Sequence, residues 1–157
     1  MRKRIISPVE QNKAENEQDW LDIEDRVEVE ITSEDPEHPI EAALLLNQTS
    51  GWRAGTAGKQ TIRLIFNSPQ QIQRIWLSFV EQHVDRTQEY DLRWSADDGK
   101  SFQEIVRQQW NFNTHDATSQ TEDYHVDLNA VTVIELTIVP DISGGEAVAS
   151  LAQLRIS

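Results

Sequence analysis

Cysteine is absent from this 157-residue chain. Disulfides, thiolate metal sites and a cysteine nucleophile are excluded together, and the absence fits a reducing compartment. Long apolar runs are also missing: none approaches the ~20 residues of a membrane span. Met1-Arg2-Lys3-Arg4 has the charge of an export signal. Ile5-Ile6 nevertheless runs straight into Ser7-Pro8-Val9-Glu10, so no apolar centre follows, and the expectation is a cytoplasmic protein. Basic residues are scarce. Fourteen Lys and Arg face 27 Asp and Glu, for a net charge of −13. Such a surface repels phosphate backbones and anionic lipid, which makes nucleic acid and membrane poor partners, and neither is expected. Histidines number four, and His38, His83, His115 and His125 are never four apart, so no helical metal-ligand pair exists. No nucleophile elbow is present, and abundant carboxylates do not by themselves make a paired glycosidase site. The expectation is a protein that is not an enzyme.

What is present is apolar alternation. Tyr90, Leu92 and Trp94 alternate with Asp91, Arg93 and Ser95, the period of a half-buried strand. Asp98-Gly99 follows, a dipeptide that tolerates the positive φ of a tight turn. An extended run from Phe102 to Trp110 then returns, so the stretch reads as a β-hairpin. The same alternation marks strands at Arg26–Thr32, Thr61–Asn67, Ile72–Val80 and Thr132–Val139. Shorter strands are expected at Tyr124–Leu128 and Val148–Ile156. Ser68-Pro69 and Pro140-Asp141 read as turns, Glu81–Thr87 and Asn111–Asp123 as polar loops, and Ile40–Leu46 as a short helix or turn.

Residues 1–25 hold few apolar side chains. Residues 1–41 carry thirteen acids and five bases, a net of −8. Residues 1–25 are expected to form a flexible acidic segment, with a helical turn over Asp19–Asp25 resting Trp20 or Leu21 on a domain at 26–157. About eight strands with turn signals between them, and little helix, predict an all-β sandwich or jelly roll.

Two further stretches narrow this. Trp52-Arg53-Ala54 precedes the strand Gln60–Phe66, Pro69 and the strand Ile72–Leu77. Ser95-Ala96-Asp97-Asp98-Gly99 precedes Phe102, and the chain closes on Ala149–Ile156. In their order and spacing these resemble the discoidin, or coagulation factor 5/8 type C, family of galactose-binding-like domains. The resemblance covers about Val27 to Ser157. It implies an eight-stranded jelly-roll β-sandwich whose termini lie close together. Relatives commonly hold a structural calcium ion near an Ala-x-Asp-Gly stretch. The corresponding residues here are Ala43-Leu44-Leu45-Leu46-Asn47, without the carboxylate or the glycine; no cofactor or metal is expected, with a structural calcium ion as the open alternative.

The resemblance also implies a non-catalytic module that recognises carbohydrate, or a related polyhydroxylated ligand, through loops at one end of the sandwich. A sugar offers hydroxyls for planar polar groups and a C–H face for an aromatic ring. The candidate ligand-binding residues are Arg53, Glu81, His83, Arg86, Trp110 and Asn111. For Arg86 and Trp110 two readings stand equally: ligand contact, or an Arg86–Glu89 ion pair and a Trp110 that covers the sandwich end. Trp52 is read as core. The alternative function is a protein–protein interaction module using the same fold as a docking surface. A phospholipid-binding role ranks last, because it needs apolar spikes ringed by basic residues and the chain has four lysines.

Overall fold

The computed structural model describes residues 20–157, and the expectation for the segment before Trp20 lies outside the described residues. The strands are β1 (Val27–Ile31), β2 (Trp52–Arg53), β3 (Gln60–Val80), β4 (Arg86–Ser95), β5 (Gln103–Phe112), β6 (Ser119–Val139), β7 (Ser150–Leu151) and β8 (Gln153–Ile156). One four-residue helix, α1 (Glu41–Leu44), interrupts them. None of the described helices is long and apolar enough to cross a membrane.

Two strands of 21 residues organise the rest. β3 and β6 pair antiparallel along nearly their whole length, with register shifts between Ile65 and Arg74. There the ladder bends, and Ala130 takes a left-handed φ of 57°. One hydrogen-bonded sheet thereby becomes two layers. The first contains β1, the start of β3, the end of β6, β4 and β5; the second contains the end of β3, the start of β6 and β8. This is the expected jelly-roll sandwich. The expected turn at Ser68-Pro69 is a bend within one strand, and Tyr124–Leu128 and Thr132–Val139 are likewise one strand. A proline at a bulge has no ladder bond to lose, so Pro69 marks the bend without ending the strand.

Between the layers pack Ile62, Leu64, Leu92, Leu136 and Ile138 from one side and Ile75, Leu77, Phe79, Leu154 and Ile156 from the other, all buried. The predicted loop Asn111–Asp123 is mostly strand; only 113–118 connects β5 to β6, closed by an Asn113–Ala117 bridge. Polarity misleads there because β5 and the start of β6 are both edges of their layers, where side chains meet water. Trp20 rests on the domain as expected. Its ring lies 6.4 Å from that of Trp76, with the Arg74 guanidinium 4.6 Å from its centre. The turn expected over 19–25 falls at 24–26, and Ile23 is buried.

The outer face of the first layer carries a row of alternating charge. Glu30, Arg63, Glu135, Arg93 and Glu104 are successive cross-strand partners on β1, β3, β6, β4 and β5. Arg63 Nε donates to Glu135 Oε2 at 2.7 Å, and Glu135 is buried whereas Arg63 is half-exposed. Opposite charges directly across strands stabilise a sheet. The asymmetry in exposure predicts unequal costs. Arg63→Ala leaves a buried carboxylate short of its nearest cation, and should cost about 1–2 kcal/mol after allowing for solvent screening. Glu135→Gln leaves an arginine that can turn to water and should cost less. Urea unfolding of both variants checks this, and equal costs would contradict it.

Candidate functional site

One end of the sandwich opens into a cleft of about 190 Å³. Four pieces of backbone converge on it: His38, Ser50–Arg53, Val80–His83 and Ser150–Ala152. The β2–β7 ribbon sets Trp52 opposite Leu151 and Arg53 opposite Ser150. Gly51 precedes it at φ +83°, where an added Cβ would stand 3.1 Å from the Leu151 carbonyl oxygen. A side chain would therefore push the ribbon apart. Arg53 is clasped by backbone, its N–H donating to the His38 carbonyl at 3.1 Å and its carbonyl accepting from Asp35 at 2.8 Å. Ala152 N donates to the Ser78 carbonyl at 2.8 Å, which ties the ribbon to the end of β3.

Trp52 is 1% exposed and its indole N–H donates to the Ser33 carbonyl at 3.2 Å. It is core, as the sequence reading holds, and it underpins the cleft without presenting a ring face to it.

The 81–86 loop is held by its own acid. Arg86 Nε donates to Glu81 Oε1 at 2.7 Å, and the His83 N–H donates to Glu81 Oε2 at 3.1 Å. Burial opposes the charge on Glu81. The Arg86 guanidinium, the His83 N–H and the charge of Arg53 outweigh it and hold the carboxyl below the usual range. Glu81 N also donates to the Thr118 carbonyl at 2.7 Å, and the Thr114 N–H to Asp85 Oδ1 at 2.8 Å, so the loop leans on the 113–118 connection.

Of the six residues singled out in the sequence, Arg53, Glu81 and His83 share this cleft. Arg86 lies beneath them, with its side chain 0% exposed. Its Nη1 donates to the Pro140 carbonyl at 2.8 Å and to Gln88 Oε1 at 3.2 Å, and its guanidinium stacks on Phe112 at 4.8 Å. It holds Glu81 and is not among the residues that line the cleft, and its partner is not Glu89, which faces Arg107 at 3.8 Å. Trp110 and Asn111 stand elsewhere, on β5. They are consecutive in a strand and so point to opposite faces. Trp110 pairs with buried Gln88, and Asn111 pairs with Thr87, whose hydroxyl donates to Asn111 Oδ1 at 2.6 Å. Neither lines the cleft, and no single ligand face holds both. Sequence reasoning missed Gln82, a neighbour of Glu81 and His83 in the same loop, and His38, Ser50 and Ser150, which carry no motif and are gathered only by the ribbon and the 33–40 segment.

Residues 28–152 match the F5/8 type C domain family model. The chain belongs to this family. Among curated proteins no relative matches. Solved structures do. CBM32-3 from a family 31 glycoside hydrolase of Clostridium perfringens is 16% identical, with a TM-score of 0.64 over 88% of this chain and 94% of that one. The family 32 module of C. perfringens NanJ, solved with galactose, is 14% identical with a TM-score of 0.60, covering 83% and 92%. The CBM32 of AlyQ, in complex with 4,5-unsaturated mannuronic acid, is 17% identical with a TM-score of 0.60, covering 85% and 95%. At these identities the likeness concerns the fold. This F5/8 type C domain has the sandwich of those modules and its own cleft residues.

The Glu81–Arg86 pair makes a pH prediction. A carboxyl depressed in the folded state stabilises the protein fully above its unfolded value of about 4.3. That contribution is lost as pH falls through the lower folded value. Glu81→Gln should therefore flatten the acid limb of the stability curve, measured by urea unfolding at stepped pH. Arg86→Met strands a partly buried carboxylate and should cost about 3 kcal/mol at neutral pH.

Proposed function

We propose that this domain is a non-catalytic module that binds carbohydrate in the cleft between Arg53, Glu81 and His83. The observation that carries the reading is the make-up of that cleft. Arg53, His38, His83, Gln82, Ser50 and Ser150 supply donors and acceptors around the apolar edges of Val80 and Leu151. Hydroxyl-rich ligands are recognised by such convergent polar groups over a small apolar surface. The sugar complexes of similar modules, with galactose and with an unsaturated mannuronic acid, support the same class.

Binding without chemistry is supported by the state of Glu81. It is the sole carboxylate among the lining residues. Both its oxygens are occupied and its proton is held off by Arg86 and the His83 N–H. A general acid needs the opposite tuning. With Trp52 buried, the sugar is gripped by hydrogen bonds more than by stacking. Arg53 is the cation with the freest reach. NMR titration of the labelled domain with a panel of neutral sugars and uronic acids should shift Arg53, Gln82, His83 and Ser150. Arg53→Ala should weaken binding at least about tenfold, the loss of one charge-assisted bidentate contact, and Trp110→Ala should leave it unchanged. An unperturbed cleft with every sugar would sink the reading.

A second reading, protein contact, is favoured by a different surface. A groove of about 450 Å³ runs between β1 and α1, floored by Ile23, Val27, Val29, Ile31, Ile40 and Leu44 and edged by Glu24, Glu34 and Glu41. β1 is an edge strand. Arg26 and Thr32 bond to β3 through their backbone, so by alternation Val27, Val29 and Ile31 turn their N–H and C=O groups to the open edge. The groove suits an extended partner segment with apolar side chains inward and Lys or Arg flanking, added as a further strand. A synthetic peptide of alternating Val and Lys should slow amide exchange at Val27, Val29 and Ile31. Glu24→Lys with Glu41→Lys should abolish the effect. Exchange that ignores the peptide would remove this reading and leave the carbohydrate one untouched.

A further inference from the structure

Arg155 sits on β8 opposite Trp76, on the face away from the sandwich interior. It is only 6% exposed. Among the described residues no carboxylate forms an ion pair with it; backbone carbonyls surround it instead. Nη1 donates to the carbonyls of Ala43 and Leu154, each at 2.9 Å. Nη2 donates to those of Leu45 at 3.1 Å and Gln48 at 3.2 Å. Three of these four acceptors belong to the end of α1 and the turn that follows it.

The reason for this gathering is local. α1 has only four residues, so its last carbonyls have no helical partners. The chain must then reverse toward Ser50, and it has neither a capping glycine at Leu45 nor a basic residue in the last turn of α1. A buried positive charge collects carbonyl oxygens there, that of Leu45 accepting from the Gln48 N–H at 3.1 Å as well. A bound calcium ion does the same work, drawing six to eight oxygens, several of them charged, around one centre. The resemblance noted above places a structural calcium at the stretch Ala43–Asn47. The residues present do not fit it. Ala43 and Leu45 turn their carbonyl oxygens to the guanidinium, and no carboxylate stands in the stretch. A divalent ion would also meet a buried like charge at close range, in a medium that screens poorly.

We infer that the Arg155 guanidinium is the built-in cation of this loop, holding by a covalently attached charge what a metal ion would otherwise hold. The planar fork suits the role, because two nitrogens reach separate carbonyls from one fixed plane. Burial lowers its pKa, yet an arginine starts high enough to stay charged. The consequence reaches the cleft. The turn that Arg155 holds leads directly through Ser50 and Gly51 to Trp52 and Arg53, and Gly51 N donates back to the Ala42 carbonyl at 3.1 Å.

Thermal unfolding of the full chain tests the inference. The wild-type midpoint should be the same with added calcium and with a chelator; a shift of several degrees between them would overturn it. Arg155→Ala should lower the midpoint by roughly 10 °C, a loss typical of a broken buried network in a chain of this size. Arg155→Lys keeps the charge but not the fork, and should recover less than half of that loss. An Arg155→Ala protein that melts like the wild type would overturn the inference. If Arg155→Ala does not fold, the lysine variant and the calcium comparison on the wild type still decide it.

Discussion

The antiparallel pairing of β3 with β6 is the constraint on which everything else rests. Each strand is long enough to take part in both layers, and both bend at the same level of the ladder. β1 and β4 attach on one side of that bend and β8 on the other. Without the bend, one long sheet would expose its apolar faces to water. With it, the row Ile62, Leu64, Leu136 and Ile138 meets Ile75, Leu77 and Phe79, and a single core closes. The unpaired positions at the bend and the left-handed Ala130 cost local strain, which burial of both inner faces offsets.

Within that frame, two buried arginines act as fixed points for the less regular parts. Arg86 draws together the 81–86 loop, the Pro140 turn and the ring of Phe112. Arg155 draws together the end of α1 and the turn beyond it. Neither lines the cleft. Guanidinium groups suit this work because they offer several donors in one plane and stay charged when buried. An acidic protein thus keeps cations inside where they order backbone. On the surface, Arg63 pairs with Glu30 and Glu135, Arg93 with Asp91 and Arg74 with Asp123.

Much of the fold was legible because strands print their period in the sequence. The alternations at Val27–Ile31, Ile62–Phe66 and Ile75–Phe79 each gave the inner face; at Tyr90–Ser95 Tyr90 and Leu92 are buried as read, but so are Asp91 and Ser95, and Trp94 is half-buried. Failures cluster where polarity and burial part company. Asn111–Asp123 reads as a loop because edge strands expose so much, and Ser68-Pro69 reads as a turn because a bulge uses the same residue types. The site was half legible. Arg53, Glu81 and His83 come together as loop neighbours. Arg86 shares their loop and composition, and only depth separates it from them. Trp110 and Asn111 were grouped by adjacency, which in a strand means opposite faces.

The sequence by itself determined the class: an antiparallel sandwich, without disulfides, poor in positive charge, built on alternation and punctuated at Asp98-Gly99 and Pro140. Those features depend on each residue and its near neighbours, so they survive being read along a line. Tertiary structure alone decided which polar side chains open onto the cleft and which serve the backbone. Arg53, Arg86 and Arg155 are the same residue, each at or near the end of a strand. Their roles diverge because burial and partners come from residues far along the chain, Pro140 for one and Ala43 for another, and that distance leaves no local mark.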